Sequence, residues 1–132
     1  MKDFRTLQVW QKAYKLTLAC YLVTRQFPRE ELYGLTGQLR RCSASIAANI
    51  AEGYGRYGDP EFHRFLQIAM GSTSELDYHI LLSRDLGYLA ADKHERLSLE
   101  VLELKRMLVS LARKISSDST KGVAKTTGKV SE

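Results

Sequence analysis

Residues 45–56 read SIAANIAEGYGR, and the interpretation of this stretch decides the fold. Small residues run from Ser45 to Gly53, interrupted by two isoleucines, one asparagine and one glutamate, and a glycine-rich turn then ends at Arg56. Three interpretations are open: a phosphate-binding glycine loop, a buried catalytic carboxylate at Glu52, or two helices in close contact. A phosphate loop presents backbone N–H groups at a helix N-terminus, usually after a strand, whereas GYGRYG follows a predicted helix. The pattern favours a helical hairpin, with weak anion binding near Arg56 left open.

The whole chain predicts four helices followed by a tail. Its two prolines, Pro28 and Pro60, each stand where a helix is expected to begin again. Apolar residues recur at steps of three and four, and no segment alternates convincingly with period two. The predicted helices are residues 4–26, 30–52, 60–86 and 92–115, with Gly53 as a left-handed cap of the second. Because the connections are short, the sequence predicts an all-α, antiparallel up-down-up-down four-helix bundle.

Length and composition predict a single soluble domain. A chain of 132 residues with 44% hydrophobic and 27% charged residues is long enough for one core. We expect the bundle to occupy residues 1–116, and residues 117–132 to form a disordered tail because they lack apolar periodicity. The opening MKDFRTLQVWQKAY contains no uninterrupted apolar stretch, so we expect neither a signal peptide nor a membrane span. The sequence therefore predicts a cytoplasmic protein.

The two cysteines of the chain are consistent with a cytoplasmic protein. Cys20 and Cys42 are the only cysteines, and each lies inside an apolar helical pattern. We expect two buried free thiols in a reducing environment, while a disulfide between them stays open.

A polar stripe follows the second predicted helix at heptad spacing. Its members are Gln38, Arg41, Ser45, Asn49, Glu52 and Arg56. Folding the hairpin brings Arg41 opposite Glu75. It also brings Glu52 near Arg64 or His63. Because partly buried charges need partners, we predict the interhelical ion pairs Arg41–Glu75 and Glu52–Arg64 (or His63), on either side of Asn49.

No constellation of residues points strongly to an enzyme. Glu52 and Glu75 could form a carboxylate pair, but no histidine has the Glu-x-x-His or His-Glu-x-x-His spacing of a metal site, and no Cys-x-x-Cys occurs. The serines lack a histidine partner at a suggestive spacing. We expect no metal, no cofactor and no small-molecule substrate, and keep a metal-dependent enzyme as the third hypothesis.

Positive charge is concentrated at the start of the chain. The net charge is +5, and residues 1–29 contain six cations against one acid, Asp3. Arg5, Lys12 and Lys15 share a helix face that no acid interrupts, which is consistent with a polyanion bound through phosphate contacts, while a merely solvated face stays open as the simpler interpretation. The candidate nucleic-acid-binding residues are Arg5, Lys12, Lys15, Arg25 and Arg29.

Other residues that suit a nucleic acid have simpler interpretations. Tyr14 and Tyr57 could stack on bases, although aromatic residues at helical spacing more often belong to a core. The cations near the end of the fourth predicted helix are interpreted as complementing its dipole. They are Lys105, Arg106, Arg113 and Lys114.

The first predicted helix has more apolar surface than a monomer can bury. A helix packed on one side of a bundle needs only a stripe of apolar residues, whereas here they cover most of the circumference. The excess centres on Trp10, Tyr14 and Tyr21, which predicts an interface with another subunit.

Several separated stretches carry a family resemblance. QLRRCSASIAANIAEGYGR and EFHRFLQIAMGSTSELDYHILLSRDLGYL closely resemble the bacterial four-helix-bundle proteins encoded by intervening sequences in 23S ribosomal RNA genes. The opening FRTLQVWQKAYKLTLACY and the break FPREELYGLTGQLRR fit the same family, so the resemblance covers about residues 4–115. It implies a ring-like homo-oligomer, most often a pentamer, with no established catalytic activity and a role with RNA or another nucleic acid. Accessory proteins of diversity-generating retroelements are more distantly similar.

Two hypotheses of function follow from the residues and the resemblance. The leading one is a non-enzymatic, oligomeric helical bundle that binds nucleic acid, RNA in particular, through a basic surface. The alternative is a protein–protein adaptor whose apolar and charged faces recruit a partner enzyme.

Overall fold

The computed structural model describes residues 2–55 and 58–131, and side chains as far as residue 116. Its α-helices are α1 (Gln8–Thr24), α2 (Leu35–Gly55), α3 (Asp59–Asp85) and α4 (Ala91–Ser131). The described ranges contain no strand. The structure confirms the predicted all-α four-helix bundle.

The four helices pack in the order in which they occur along the chain. α2 packs against both α1 and α3, α3 packs against α4, and a looser α1–α4 contact closes the bundle. Within the described part of the chain, the backbones of α1 and α3 do not come close to each other, so these helices lie on a diagonal of the bundle. The largest fully buried side chains come from α2, α3 and α4: Leu39, Ile46, Ile50, Leu66, Leu76, Ile80, Leu104 and Leu108. Each such side chain stabilises the fold by roughly 1.5–3 kcal/mol relative to exposure.

The stretch at residues 45–56 serves helix packing. Ser45 Oγ on α2 lies 2.9 Å from Ser72 Oγ on α3, and the side-chain amide of Asn49 donates to the Ser45 carbonyl oxygen at 2.8 Å. The small side chains therefore let the two backbones approach. Arg56 and Tyr57 lie outside the described residues, so the anion-binding and base-stacking interpretations are untested there.

Gly53 does not have the conformation that the sequence predicted. It lies inside α2 and is not among the positive-φ residues, whereas Gly58, which precedes α3, has φ 87°. A Cβ added at Gly53 would lie 2.5 Å from the Cβ of Phe65 on α3. Gly53 therefore permits the close approach of α2 to α3, and the left-handed turn falls at Gly58.

The starts of α1 and α2 were predicted too early. Phe4–Thr6 and Arg29–Glu31 form short 3-10 turns ahead of these helices. The Asp3 carboxylate accepts from the Arg5 backbone N–H at 3.0 Å, which caps the first turn. The Glu31 carboxylate accepts from the Leu35 N–H at 3.1 Å and so satisfies a free donor at the start of α2.

α4 is longer than the sequence predicted. The helix continues past the expected end near Ile115 to Ser131. The side chains of residues 117–131 lie outside the described part. The disordered tail therefore stays a prediction.

Both cysteines are buried as free thiols. Burial raises the pKa of the Cys20 thiol to about 12 and that of the Cys42 thiol to about 11, so both stay protonated at neutral pH. In the described ranges, no helix has both the length and the apolarity that crossing a membrane requires.

Candidate nucleic-acid interface

The middle of the α1–α4 contact is held by Lys12. Its ammonium forms ion pairs with the carboxylates of Glu100 and Glu103, at 2.9 Å from Oε2 of Glu103. The hydrogen bond to Glu100 raises the Lys12 pKa above its ordinary value of 10.5, and only 18% of the side chain is exposed. The expectation that no acid interrupts this basic face is therefore wrong at Lys12, because α4 supplies two. Lys12 holds helices together and offers no free charge to a phosphate.

The other candidate cations at the start of the chain are exposed but dispersed. Lys15, Arg25 and Arg29 have no ion pair among the described residues, whereas Arg5 binds Asp3 at 3.2 Å with both side chains exposed. Arg5 precedes α1 and Arg25 follows it, so about 25 Å of helix separates them. These four residues therefore do not form one compact cluster.

A more compact group of cations lies on α4. Arg106, Arg113 and Lys114 are exposed, and none has an ion pair among the described residues. No acid occurs from residue 104 to residue 116, while the neighbouring Lys105 binds Asp77 at 3.2 Å. We call Arg106, Arg113 and Lys114 the α4 basic patch.

The α4 basic patch borders a groove. The groove has a volume of about 510 Å³ and lies between residues 6–9 and α4. Arg106 and Lys114 line it together with apolar side chains that include Leu7 and Met107. The groove thus combines an apolar floor with cations that a phosphate backbone can reach.

Sequence reasoning assigned these α4 cations to the helix dipole. The dipole effect falls off within the last turn, and α4 continues to Ser131, so Arg106 and Arg113 lie several turns too early for it. The signal that identifies them as a surface feature was present in the sequence, in the acid-free stretch 104–116.

An exposed apolar stripe runs along the outer face of α1. Tyr14, Leu18, Tyr21 and Leu22 are between 43% and 61% exposed, and we call them the α1 apolar stripe. Trp10 differs, because it is half-buried against its own protomer and stacks on Tyr14 with ring centroids 5.0 Å apart. Tyr14 and Tyr21 are therefore available to a second subunit. Trp10 instead packs partly against its own protomer and holds the ring of Tyr14 by stacking on it.

Further large apolar side chains are exposed along α3. They are Ile68, Tyr78 and Leu81. Because α1 and α3 lie on a diagonal of the bundle, these side chains and the α1 apolar stripe are on opposite sides of the protomer.

The polar stripe of α2 forms one of its two predicted ion pairs. Arg41 binds Glu75 across the α2–α3 interface. Arg64 instead binds Glu61, one turn away on its own helix, at 3.3 Å. The predicted pair of Glu52 with Arg64 (or His63) is not among the ion pairs that join the described residues.

The same interface contains a cluster that sequence spacing did not reveal. Cys42, Glu75 and His79 place their donor atoms within 4.8 Å of one another. His79 Nε2 lies 3.1 Å from Glu75 Oε2. The cluster was missed because its members come from two helices and only Glu75 and His79, four residues apart, are close in sequence. As a catalytic nucleophile Cys42 is poorly suited, because it is fully buried and its pKa is raised.

The described residues define a four-helix-bundle protein with exposed cations on α4 and exposed apolar side chains on α1, α3 and α4. Residues 5–110 match the family described as 23S rRNA-intervening sequence protein, and the chain belongs to this family. No curated protein matches the chain.

A solved structure shows the same fold. It is the crystal structure of a protein with unknown function from the S23 ribosomal protein family of Bacteroides thetaiotaomicron. The TM-score is 0.71 at 21% sequence identity, and the match covers 79% of this chain and 97% of that chain. At this level of identity the similarity concerns the fold alone.

Proposed function

We propose that this protein is a non-enzymatic, homo-oligomeric bundle of the cytoplasm that binds RNA through phosphate contacts made by the α4 basic patch. The observation that carries the proposal is the exposure of Arg106, Arg113 and Lys114 without a carboxylate partner among the described residues. Unpaired cations on one helix face displace the counterions that are condensed on the RNA phosphates. The release of these counterions drives binding to RNA of any sequence. Arg5, Lys15, Arg25 and Arg29 are proposed as additional contacts, and Lys12 is not.

The family description makes RNA the nucleic acid to test first, because it refers to 23S rRNA. The patch is suited to positioning a backbone, since phosphate contacts fix orientation and carry no sequence information by themselves. We therefore propose binding with little sequence preference.

The proposed homo-oligomer is a ring, with a pentamer favoured by the family resemblance. A ring uses head-to-tail contacts, which need two different complementary surfaces on each protomer. The α1 apolar stripe and the exposed residues of α3 supply two such surfaces on opposite sides of the bundle. Trp10, Tyr14 and Tyr21 keep their proposed interface role, with Trp10 acting by supporting Tyr14.

Filter binding of a short labelled single-stranded RNA over a salt series tests the proposal. Wild-type affinity is expected to fall as salt rises, and replacing Arg106 and Arg113 by Gln should weaken binding and lower the slope of log K against log[salt] by about 1.4. The matched control replaces Lys93 and Arg96 by Gln, which removes the same charge where Asp92 and Glu95 already alternate with the cations. Salt-independent binding, or equal effects of the two double variants, contradicts the α4 basic patch as the RNA site.

The adaptor hypothesis is the second candidate, and the α1 apolar stripe favours it. A protein partner held by apolar contacts would lose little affinity as salt rises, in contrast to RNA. Leu18→Glu and Leu22→Glu should then abolish partner binding and leave the salt-dependent RNA affinity of each protomer unchanged.

A further inference from the structure

We propose that Cys42, Glu75 and His79 form a zinc-binding site that joins α2 to α3. Cys42 lies on α2, while Glu75 and His79 lie one turn apart on α3. Their three donor atoms are within 4.8 Å of one another. Ligand atoms on a tetrahedral zinc ion are roughly 3.5 Å apart, so small side-chain rotations bring these atoms onto one ion.

The donor set fits zinc better than a hard cation. A thiolate, an imidazole nitrogen and a carboxylate oxygen are the ligands that zinc takes in proteins, whereas calcium and magnesium prefer oxygen alone. The thiolate and carboxylate together carry the two negative charges that balance the ion. Water completes the coordination at the exposed side of Glu75.

His79 faces the cluster through Nε2, which lies 3.1 Å from Glu75 Oε2. The side chain of His79 is only 13% exposed, and its buried Nδ1 has no hydrogen-bond partner among the described residues. Nε2 is therefore the ring atom available to a metal, beside the Cys42 thiol and the Glu75 carboxylate.

Metal binding at this site displaces the hydrogen bonds that Glu75 Oε2 makes with Arg41 and with His79 Nε2, and it also displaces the thiol proton of Cys42. Glu75 Oε2 accepts from the Arg41 guanidinium, which is 56% exposed and can swing into solvent when the metal arrives. Cys42 must also exchange its proton for the ion, so that the thiol S–H bond breaks, an S–Zn bond forms and one proton is released to solvent. Zinc affinity therefore rises when Arg41 is removed and falls as the pH is lowered.

Cobalt(II) in place of zinc makes the thiolate ligand visible. The purified full-length protein is titrated with cobalt chloride, and we expect a near-ultraviolet thiolate–cobalt charge-transfer band that zinc chloride then displaces. Cys42→Ala should abolish the band, while Cys20→Ala, which alters the other buried thiol, should keep it.

Calorimetric zinc titration of further variants tests the remaining ligands. His79→Ala and Glu75→Gln should weaken zinc binding by about 100-fold or more, since even loss of an outer partner costs 10–100-fold. Arg41→Gln should tighten it, and His63→Ala should leave it unchanged. Glu75 is partly exposed, so Glu75→Gln tests the site in a folded protein even where a core variant unfolds. A wild type without the cobalt band, or Glu75→Gln and Arg41→Gln variants with wild-type zinc affinity, overturns the proposal.

Discussion

The ammonium nitrogen of Lys12 on α1 lies 2.9 Å from Oε2 of Glu103 on α4. With the neighbouring ion pair to Glu100, this contact ties together the two helices whose packing is the loosest in the bundle. It also removes the central charge from the basic face of α1. Among the described residues, unpaired cations that remain near this contact are Lys15 on α1 and Arg106 on α4.

Replacing Lys12 by Met should destabilise the bundle without weakening RNA binding. The carboxylates are largely exposed, so the expected loss of unfolding free energy is about 1 kcal/mol, the upper end for such pairs. Denaturant unfolding and RNA filter binding measure the two effects. Lys15→Met is the control, because Lys15 is exposed and unpaired among the described residues; it should leave stability unchanged. A Lys12→Met protein with normal stability and reduced RNA affinity would reverse the roles assigned to these lysines.

The Lys12 contribution should disappear at high pH. Its pKa is raised in the folded state by the hydrogen bond to Glu100, so its stabilisation is complete below the ordinary value of 10.5 and is lost as the pH rises through the folded-state pKa. Thermal unfolding of wild type and Lys12→Met over a range of alkaline pH measures this. The difference in Tm should be constant near neutrality and shrink above pH 10.5. A difference that persists unchanged at the highest pH would mean that Lys12 stabilises by packing alone.

Adding a methyl group at Gly53 should be costly, whereas the same change at Gly71 should not. The new Cβ at Gly53 would lie 2.5 Å from the Cβ of Phe65, and overpacking of this kind costs about 1–3 kcal/mol. Gly71 lies in α3 with open space around it, so Gly71→Ala should stabilise the helix by about 0.5–1 kcal/mol. Chemical denaturation of both variants checks the pair. Equal effects at the two positions would show that α2 and α3 are not in close contact at Gly53.

The helices were predictable because their signals are local. Pro60 marks the start of α3, and apolar steps of three and four indicate which faces become buried, whereas Pro28 precedes only a short 3-10 turn and α2 begins at Leu35. The role of Gly53 was not predictable in this way, because a left-handed cap and a close helix contact both favour glycine. Only the position of Phe65 on the neighbouring helix distinguishes the two.

The candidate site was less predictable because it depends on contacts between side chains that are far apart in the sequence. Whether Lys12 is free is decided by acids on α4, which no spacing along α1 can reveal. Arg41 and Glu75 were paired correctly, because a short hairpin fixes the register of adjacent helices. Predicting the cluster of Cys42, Glu75 and His79 would have required knowing which side chains of α2 and α3 face each other, in addition to the register of the two helices.

Disrupting the α1 apolar stripe should reduce the oligomer to monomers. Leu18→Glu combined with Leu22→Glu places two charges on the proposed subunit interface, where burying an unpaired charge is strongly unfavourable. Native mass spectrometry of the full-length protein should show a homo-oligomer for wild type and a monomer for this variant. Leu99→Glu is the control, because Leu99 is equally exposed on α4 and lies outside both proposed faces. A wild type that is strictly monomeric would contradict the proposed ring.

The most direct test of RNA binding by the α4 basic patch is ultraviolet crosslinking in living cells, followed by sequencing of the RNA attached to the purified protein. Wild type should yield crosslinked RNA well above background. The Arg106→Gln, Arg113→Gln variant should yield far less, and the Lys93→Gln, Arg96→Gln control should match wild type. Wild-type protein with no more attached RNA than the Arg106→Gln, Arg113→Gln variant would contradict the proposed function.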